Sequence, residues 1–225
     1  MKVLRNMLII FDVDDTLIDT WNYSMQPQLK RGLNAMVDAG LQVDDVNAAF
    51  REVSALNDTT ANATETYSQF VGNKGADTTF VQIAMDAYNT PIESIAIPFL
   101  DGAKEVVETL SKTHSLALVT HGVEATQQRK IDNVELDRSL FVSIIVSKKY
   151  DKKEHYQKIM GETGFAADKI VVIGDKFKSD LLPAKELGMH TVHMKWGRGK
   201  VEKNVSPEFS ISHLRELLPI IEGLA

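Results

Sequence analysis

The hydrophobic positions of this chain change rhythm twice. Met7 to Phe11 form a continuous apolar run, M-L-I-I-F, that gives way abruptly to Asp12 and Asp14. Such a run reads as a buried strand delivering acids to a sheet edge, because that arrangement keeps the apolar part dry and the acids wet. From about Trp21 to Asn89 the period becomes helical. Val46, Ala49, Phe50 and Val53 fall at i, i+3, i+4 and i+7, and Phe80, Ile83, Ala84, Ala87 and Tyr88 repeat the spacing, which predicts two amphipathic helices. Asp44 and Asp77 stand where their N-caps belong. Two more helices are predicted over about Gln28 to Ala39, stopping at Gly40, and about Ala63 to Val71, stopping near Gly72.

From Thr90 onward helices and strands alternate. The predicted order is helix (Gly102 to Lys112), strand (Ser115 to Thr120), helix (about Val123 to Asn133), strand (Phe141 to Ser147), helix (about Lys152 to Thr163), strand (Lys169 to Gly174), helix (Ser179 to Leu187) and strand (His190 to Met194). A short strand, F-S-I, and a closing helix follow. Alternation of this kind implies right-handed βαβ units and a parallel sheet covered on both faces. The predicted class is α/β: a Rossmann-like three-layer core formed by residues 1–20 and 95–225, interrupted after its first strand by an inserted α-helical domain at 21–94. The expected hinges are Ile18 to Tyr23 and about Thr90 to Leu100, the latter carrying Pro91 and Pro98.

Composition narrows the chemistry. With 225 residues, 44% of them hydrophobic, the chain can bury a substantial core. No apolar run approaches the roughly 20 residues needed to cross a bilayer, and the N-terminal stretch lacks a cleavable leader pattern, so a cytoplasmic protein without a membrane partner is expected. The absence of cysteine excludes disulfides, thiolate nucleophiles and cysteine-bound metals. A formal charge of -6 argues against a broad nucleic-acid surface. Any metal must rest on oxygen ligands or on the 6 histidines.

In open parallel sheets the ligand site lies beyond the carboxyl ends of the strands. The first strand end presents Asp12 and Asp14, which, two apart, should face the same way. Acids that close repel, so either a cation lies between them or one keeps a raised pKa. The next presents Thr120 with His121 and Gly122, and K-I-V-V-I-G-D-K-F-K-S-D presents Asp175 and Asp180. Lys152 and Lys153 begin a helix, where Asp151 and Glu154 suggest a capping box. Acids, a hydroxyl and an ammonium converging at one edge are parts for phosphoryl transfer, with Mg²⁺ the natural cation for a carboxylate cluster.

The chain resembles the haloacid dehalogenase superfamily, most of whose members are phosphatases. Motif one, D-x-D-x-[TV]-[LV], is matched by Asp12, Asp14, Thr16 and Leu17; motif two, an apolar strand ending in Ser or Thr, by Thr120; motif four, G-D-x4-D, by Gly174, Asp175 and Asp180. Motif three is a lysine ahead of an amphipathic helix. The resemblance implies Asp12 as nucleophile, Asp14 as acid and then base, and phosphate binding by Thr120 and a lysine. It further implies Mg²⁺ held by Asp12, the backbone carbonyl of Asp14 and Asp175, with Asp180 as an outer or alternative ligand. The helical insertion would be the cap that selects substrate.

Two positions depart from the family pattern. Asp15 stands where Gly is common, and no proline follows the motif-three lysine, so Lys149, Lys152 and Lys153 compete. Lys152 is preferred because it lies four residues before Tyr156, the first apolar anchor of the helix. His190, His193, Met189, Met194 and Trp196 read as structural. The function expected is a Mg²⁺-dependent phosphatase acting on a small phosphate ester through an aspartyl-phosphate, as a monomer or homodimer. A phosphomutase or a catalytically silent regulatory relative are the alternatives.

Overall fold

A computed structural model describes residues 6–60, 62–90, 96–202 and 204–225. The chain divides into two compact units, one made of Met1–Trp21 with Ala96–Ala225 and the other of Asn22–Ile95. Residues 91–95 of the second expected hinge lie outside the described residues.

Strand β1 (Leu8–Phe11) opens the first unit, and the chain then enters the helical one: α1 (Gln26–Asp38), α2 (Val46–Asn57), α3 (Ala63–Asn73) and α4 (Thr79–Asn89). Leu29, Leu33, Val53, Tyr67, Phe70 and Ala84 form its core, and the Tyr67 hydroxyl donates to the Leu29 carbonyl at 3.0 Å. Helix α2 is capped by Asp45, not by Asp44 as expected: its carboxylate accepts from Ala48 N at 2.6 Å, because the helix starts at Val46, the first residue of the apolar spacing, and the residue directly before it takes the cap position. Asp77 accepts from Thr79 N at 2.8 Å, with Thr78 as the cap residue of α4. The Arg31 guanidinium donates to the carbonyls of Ala87, Tyr88 and Thr90, satisfying acceptors that the end of α4 leaves open.

The chain returns through α5 (Ala103–Leu110), β2 (Ser115–His121), α6 (Glu124–Asn133), β3 (Phe141–Ser147), α7 (Lys153–Thr163), β4 (Ile170–Gly174), α8 (Leu182–Glu186), β5 (His190–Met194), β6 (Phe209–Ile211) and α9 (Leu217–Leu224). The six strands form one sheet in the order β3-β2-β1-β4-β5-β6, parallel throughout. β1 therefore lies between β2 and β4, with Phe11 level with Leu118 and Ile173.

Alternation along β1 sorts the core into two layers. Met7, Ile9 and Phe11 pack with Val106, Leu110, Ile131 and Leu217 on one face; Leu8 and Ile10 pack with Tyr156, Ile159 and Ala184 on the other. Each such aliphatic side chain, wholly removed from water, contributes roughly 1.5–3 kcal/mol. The helix expected over Ser179 to Leu187 differs most from the pattern. It begins as a π-helical turn at Phe177–Leu181 before α8 continues with Pro183 in its first turn. Among the described residues no helix is long and apolar enough to cross a membrane.

Candidate active site

Asp12 leaves the sheet at its centre, its backbone N–H still bonded to the Ile173 carbonyl at 2.9 Å. The side chain is buried, with Lys152 Nζ 2.6 Å from Oδ1. The same ammonium lies 2.8 Å from Asp180 Oδ1. Burial pushes the Asp12 carboxyl up to about 6, against the pull of Lys152 and with the push of the Asp180 and Asp14 charges. Burial alone would lower the Lys152 pKa, but the flanking Asp12 and Asp180 carboxylates hold it above the lysine range.

Asp175 follows β4 directly, and both its carboxylate oxygens are buried without a hydrogen-bond partner among the described residues. Burial drives its pKa well up. Asp180 is drawn beneath the end of β4 by the π-helical turn, where Lys176 N donates to its Oδ2 at 3.1 Å and Ser179 Oγ to its Oδ1 at 3.1 Å. Gly174 permits this approach, since a Cβ there would stand 2.6 Å from Asp180 Oδ2. Asp12, Asp175 and Asp180 each offer a carboxylate oxygen, all within 4.8 Å of one another. An all-oxygen set with two unsatisfied buried acceptors fits a hard divalent cation of the Mg²⁺ type.

Asp14 faces a different set of partners. Lys130 Nζ is 2.6 Å from its Oδ1, the Thr20 hydroxyl donates to the same oxygen, and Gln127 Nε2 is 2.7 Å from Oδ2. Burial would raise its pKa, but Lys130 and these donors prevail and hold the carboxyl below the usual range. The expected mutual repulsion is thus resolved unequally, Asp12 going up and Asp14 down.

Thr120 is buried at the end of β2, and its Oγ1 accepts from Gln127 Nε2 at 2.6 Å. Asp12, Asp14, Thr120, Lys152, Asp175 and Asp180 line one narrow cleft of about 30 Å³, together with His121, Tyr150 and Lys176. The rings of His121 and Tyr150 meet edge to face at 5.5 Å. Lys176 is half-buried, and the Asp175 charge holds it above the lysine range.

Of the three competing lysines, only Lys152 is brought to the cleft. Lys153 Nζ instead pairs with Glu186 at 2.7 Å on the surface, which corrects its expected place among the phosphate-binding groups. Lys149 pairs with Glu154 at 2.8 Å, so the expected reciprocal capping box is not made; Asp151 alone accepts from Lys153 N. Asp15 adopts the left-handed backbone, φ 58°, which explains why glycine suits this position. It is buried, accepts from Trp21 N at 2.7 Å, and burial pushes its pKa up to about 7. His193 donates from Nε2 to the Asp175 carbonyl at 2.9 Å.

The sequence profile described as haloacid dehalogenase-like hydrolase matches residues 9–194. The chain belongs to this family. Among relatives of this hydrolase, a glyceraldehyde 3-phosphate phosphatase of Methanocaldococcus jannaschii is 25% identical, over 96% of this chain and 97% of that one. Another protein of that name, from Pyrococcus abyssi, is 26% identical over 96% of this chain and 94% of that one. A haloacid dehalogenase-superfamily hydrolase of subfamily IA from Geobacter sulfurreducens shares the fold of the hydrolase at TM-score 0.68 and 17% identity, covering 97% of each chain.

Gln127, Lys130, Thr20 and Lys176 are site residues that sequence reasoning missed. Gln127 left a usable signal. It stands four residues before the buried Ile131, so a polar amide occupies an apolar-face position of α6.

Proposed function

We propose that this hydrolase is a Mg²⁺-dependent phosphatase acting on a small phosphate ester. The observation that carries the reading is the buried Asp12 carboxylate, held by Lys152 Nζ at 2.6 Å and grouped with Asp175 and Asp180. A carboxylate so placed has an ammonium and a cation-fitting acid pair beside it to offset a phosphoryl group's charge.

In this reading Asp12 attacks phosphorus as the bond to the leaving alcohol breaks, giving an aspartyl-phosphate. Asp14 gives a proton to the leaving oxygen and later takes one from the water that attacks phosphorus, releasing phosphate and restoring Asp12. Thr120 and Lys152 bind phosphoryl oxygens through their O–H and N–H groups. Asp12, Asp175, Asp180 and the Asp14 backbone carbonyl would hold Mg²⁺. Bound there, the ion supplies the positive charge that lets an anionic carboxylate approach an anionic phosphate.

The three donors around Asp14 favour its ionised form, which suits the base role and makes protonation of the leaving group the demanding half. The names of the relatives support a triose phosphate as the first substrate to try. In this reading the helical unit, inserted directly after the acid-bearing segment, is the cap that selects substrate.

The test is a panel of phosphate esters with Mg²⁺, glyceraldehyde 3-phosphate included. Release of inorganic phosphate by the wild type, lost in Asp12→Asn, supports the reading. Inactivity on the whole panel, or full activity of the variant, overturns it.

A further inference from the structure

Gln127 touches both Asp14 and Thr120. It is buried on α6, one turn before Lys130, and its Nε2 lies 2.7 Å from Asp14 Oδ2 and 2.6 Å from Thr120 Oγ1. An ionised carboxylate only accepts hydrogen bonds. The amide must therefore turn its NH₂ toward Asp14, since its oxygen there would meet a second acceptor. An amide nitrogen has two protons and no acceptor capacity. Thr120 Oγ1 is then the acceptor of the second proton, and the hydroxyl's own hydrogen is left to point elsewhere. Among the described residues no acceptor takes it, and the hydroxyl lines the cleft.

We propose that Gln127 is a positioning residue: its amide sets the direction of the Thr120 hydroxyl so that it donates into the cleft and, together with Lys130, holds the Asp14 carboxylate in one orientation. This rests on the phosphatase reading and deepens it. The Thr120 proton is presented to a phosphoryl oxygen, which only accepts, before substrate arrives, so no hydroxyl reorientation is needed on binding. Lys130 holds the other oxygen of Asp14 at 2.6 Å, so both oxygens are held by donors from α6.

Local backbone supports the assignment. Gly122, at φ 151°, lies against the Gln127 side chain, and a Cβ there would stand 3.1 Å from Cγ and 3.2 Å from Cδ. The T-H-G sequence therefore leaves room for the amide to reach back over the strand end.

The experiment compares wild type with Gln127→Glu, Gln127→Leu, Lys130→Met and Lys130→Arg, all with Mg²⁺ and all checked for unchanged thermal melting. Inorganic phosphate binding is measured by calorimetry. Turnover is measured on an aryl phosphate, a good leaving group, and on an alkyl phosphate, a poor one. Glutamate replaces a donor by an acceptor and captures the Thr120 proton, so phosphate affinity falls by ~10-fold, about the effect of one charge-assisted hydrogen bond. Leucine leaves the hydroxyl undirected and falls between the two. Lys130→Met keeps phosphate affinity but lowers kcat/KM, which reports the step that expels the alcohol, ~10-fold more for the alkyl ester than for the aryl ester, because only the alkyl leaving oxygen needs the proton from Asp14; Lys130→Arg restores most of the difference.

Equal phosphate affinity in Gln127→Glu and wild type overturns the Thr120 assignment. Parallel loss of kcat/KM on both esters in Lys130→Met overturns the Asp14 assignment. Wild type that turns over neither these esters nor any ester of the panel above overturns the phosphatase reading itself, whereas the calorimetric arm reads Gln127 without turnover.

Discussion

Lys152 Nζ lies 2.6 Å from Asp12 Oδ1, with 1% of the lysine side chain and 8% of the aspartate side chain exposed. A buried carboxylate beside two others is tenable only with such a counter-charge, and removing one partner of a buried pair typically costs ~3–5 kcal/mol. Lys152→Met is expected to lower the melting temperature most when Mg²⁺ is absent and least when it is saturating, because either cation can offset the acids. Turnover should fall by at least ~100-fold even where folding is rescued, since the phosphoryl group loses a charged donor. Thermal melts with and without Mg²⁺, paired with rates on one substrate, check both parts.

The pKa of Asp15, pushed up to about 7 by burial, links this residue to pH. An unfolded aspartate ionises near 3.8, so between that value and about 7 the folded chain holds a proton that the unfolded chain has released. The contribution of Asp15 is therefore fully present below the unfolded value and is lost as pH rises through about 7. Asp15→Asn retains an acceptor for Trp21 N without the charge. The melting-temperature difference between variant and wild type should favour the variant increasingly from pH 5 to pH 8. A difference that stays flat with pH refutes the assignment.

The central strand and its acids were legible because burial and charge alternate sharply there. M-L-I-I-F can only be interior, and the first carboxylate after it, Asp12, had to emerge at the sheet edge. The same contrast exposed Asp175 after V-V-I-G, whereas the four-residue spacing to Tyr156 favoured Lys152 without excluding Lys153, and only the fold, which turns Lys153 to Glu186, separates the two. What escaped were polar groups whose partners lie far along the chain. Lys130 meets Asp14 across 116 residues, and on its own helix it reads as one more solvated charge. Lys176 reads the same way, because only the folded sheet brings it to the cleft. The π-helical turn after Lys176 leaves no periodic signature either, as five residues are too few to establish one.

Lys176 lines the cleft, and among the described residues no carboxylate lies within salt-bridge distance of its ammonium, though the Asp175 charge acts on it. Its positive charge attracts phosphate and opposes a cation held by Asp175. Lys176→Met is therefore expected to shift two affinities in opposite directions, binding Mg²⁺ more tightly and inorganic phosphate more weakly, each by ~5-fold for a charge acting at a partly screened site. Calorimetric titration with each ion separately measures both. Movement of the two affinities in the same direction contradicts the electrostatic account and indicates a change of shape.

His193 governs the loop that carries Asp175 without facing the cleft. Both groups near its Nε2, the Asp175 carbonyl at 2.9 Å and Glu202 Oε2 at 3.4 Å, only accept, so that nitrogen carries the hydrogen. Glu202 in turn accepts from Phe177 N at 2.8 Å. The imidazole and the glutamate thus hold the backbone on both sides of Lys176, and the orientation of the Asp175 carboxylate depends on that backbone. His193→Leu removes the donor and leaves a buried carbonyl unsatisfied, at a cost of about 1–3 kcal/mol. Mg²⁺ affinity should fall by ~10-fold or more, the size of effect seen when a supporting group behind a metal ligand is lost. His193→Gln, which can still present an N–H, should recover much of that loss. Calorimetry with Mg²⁺ distinguishes the two variants; equal affinities in them would show that His193 fills space and does not orient the ligand loop.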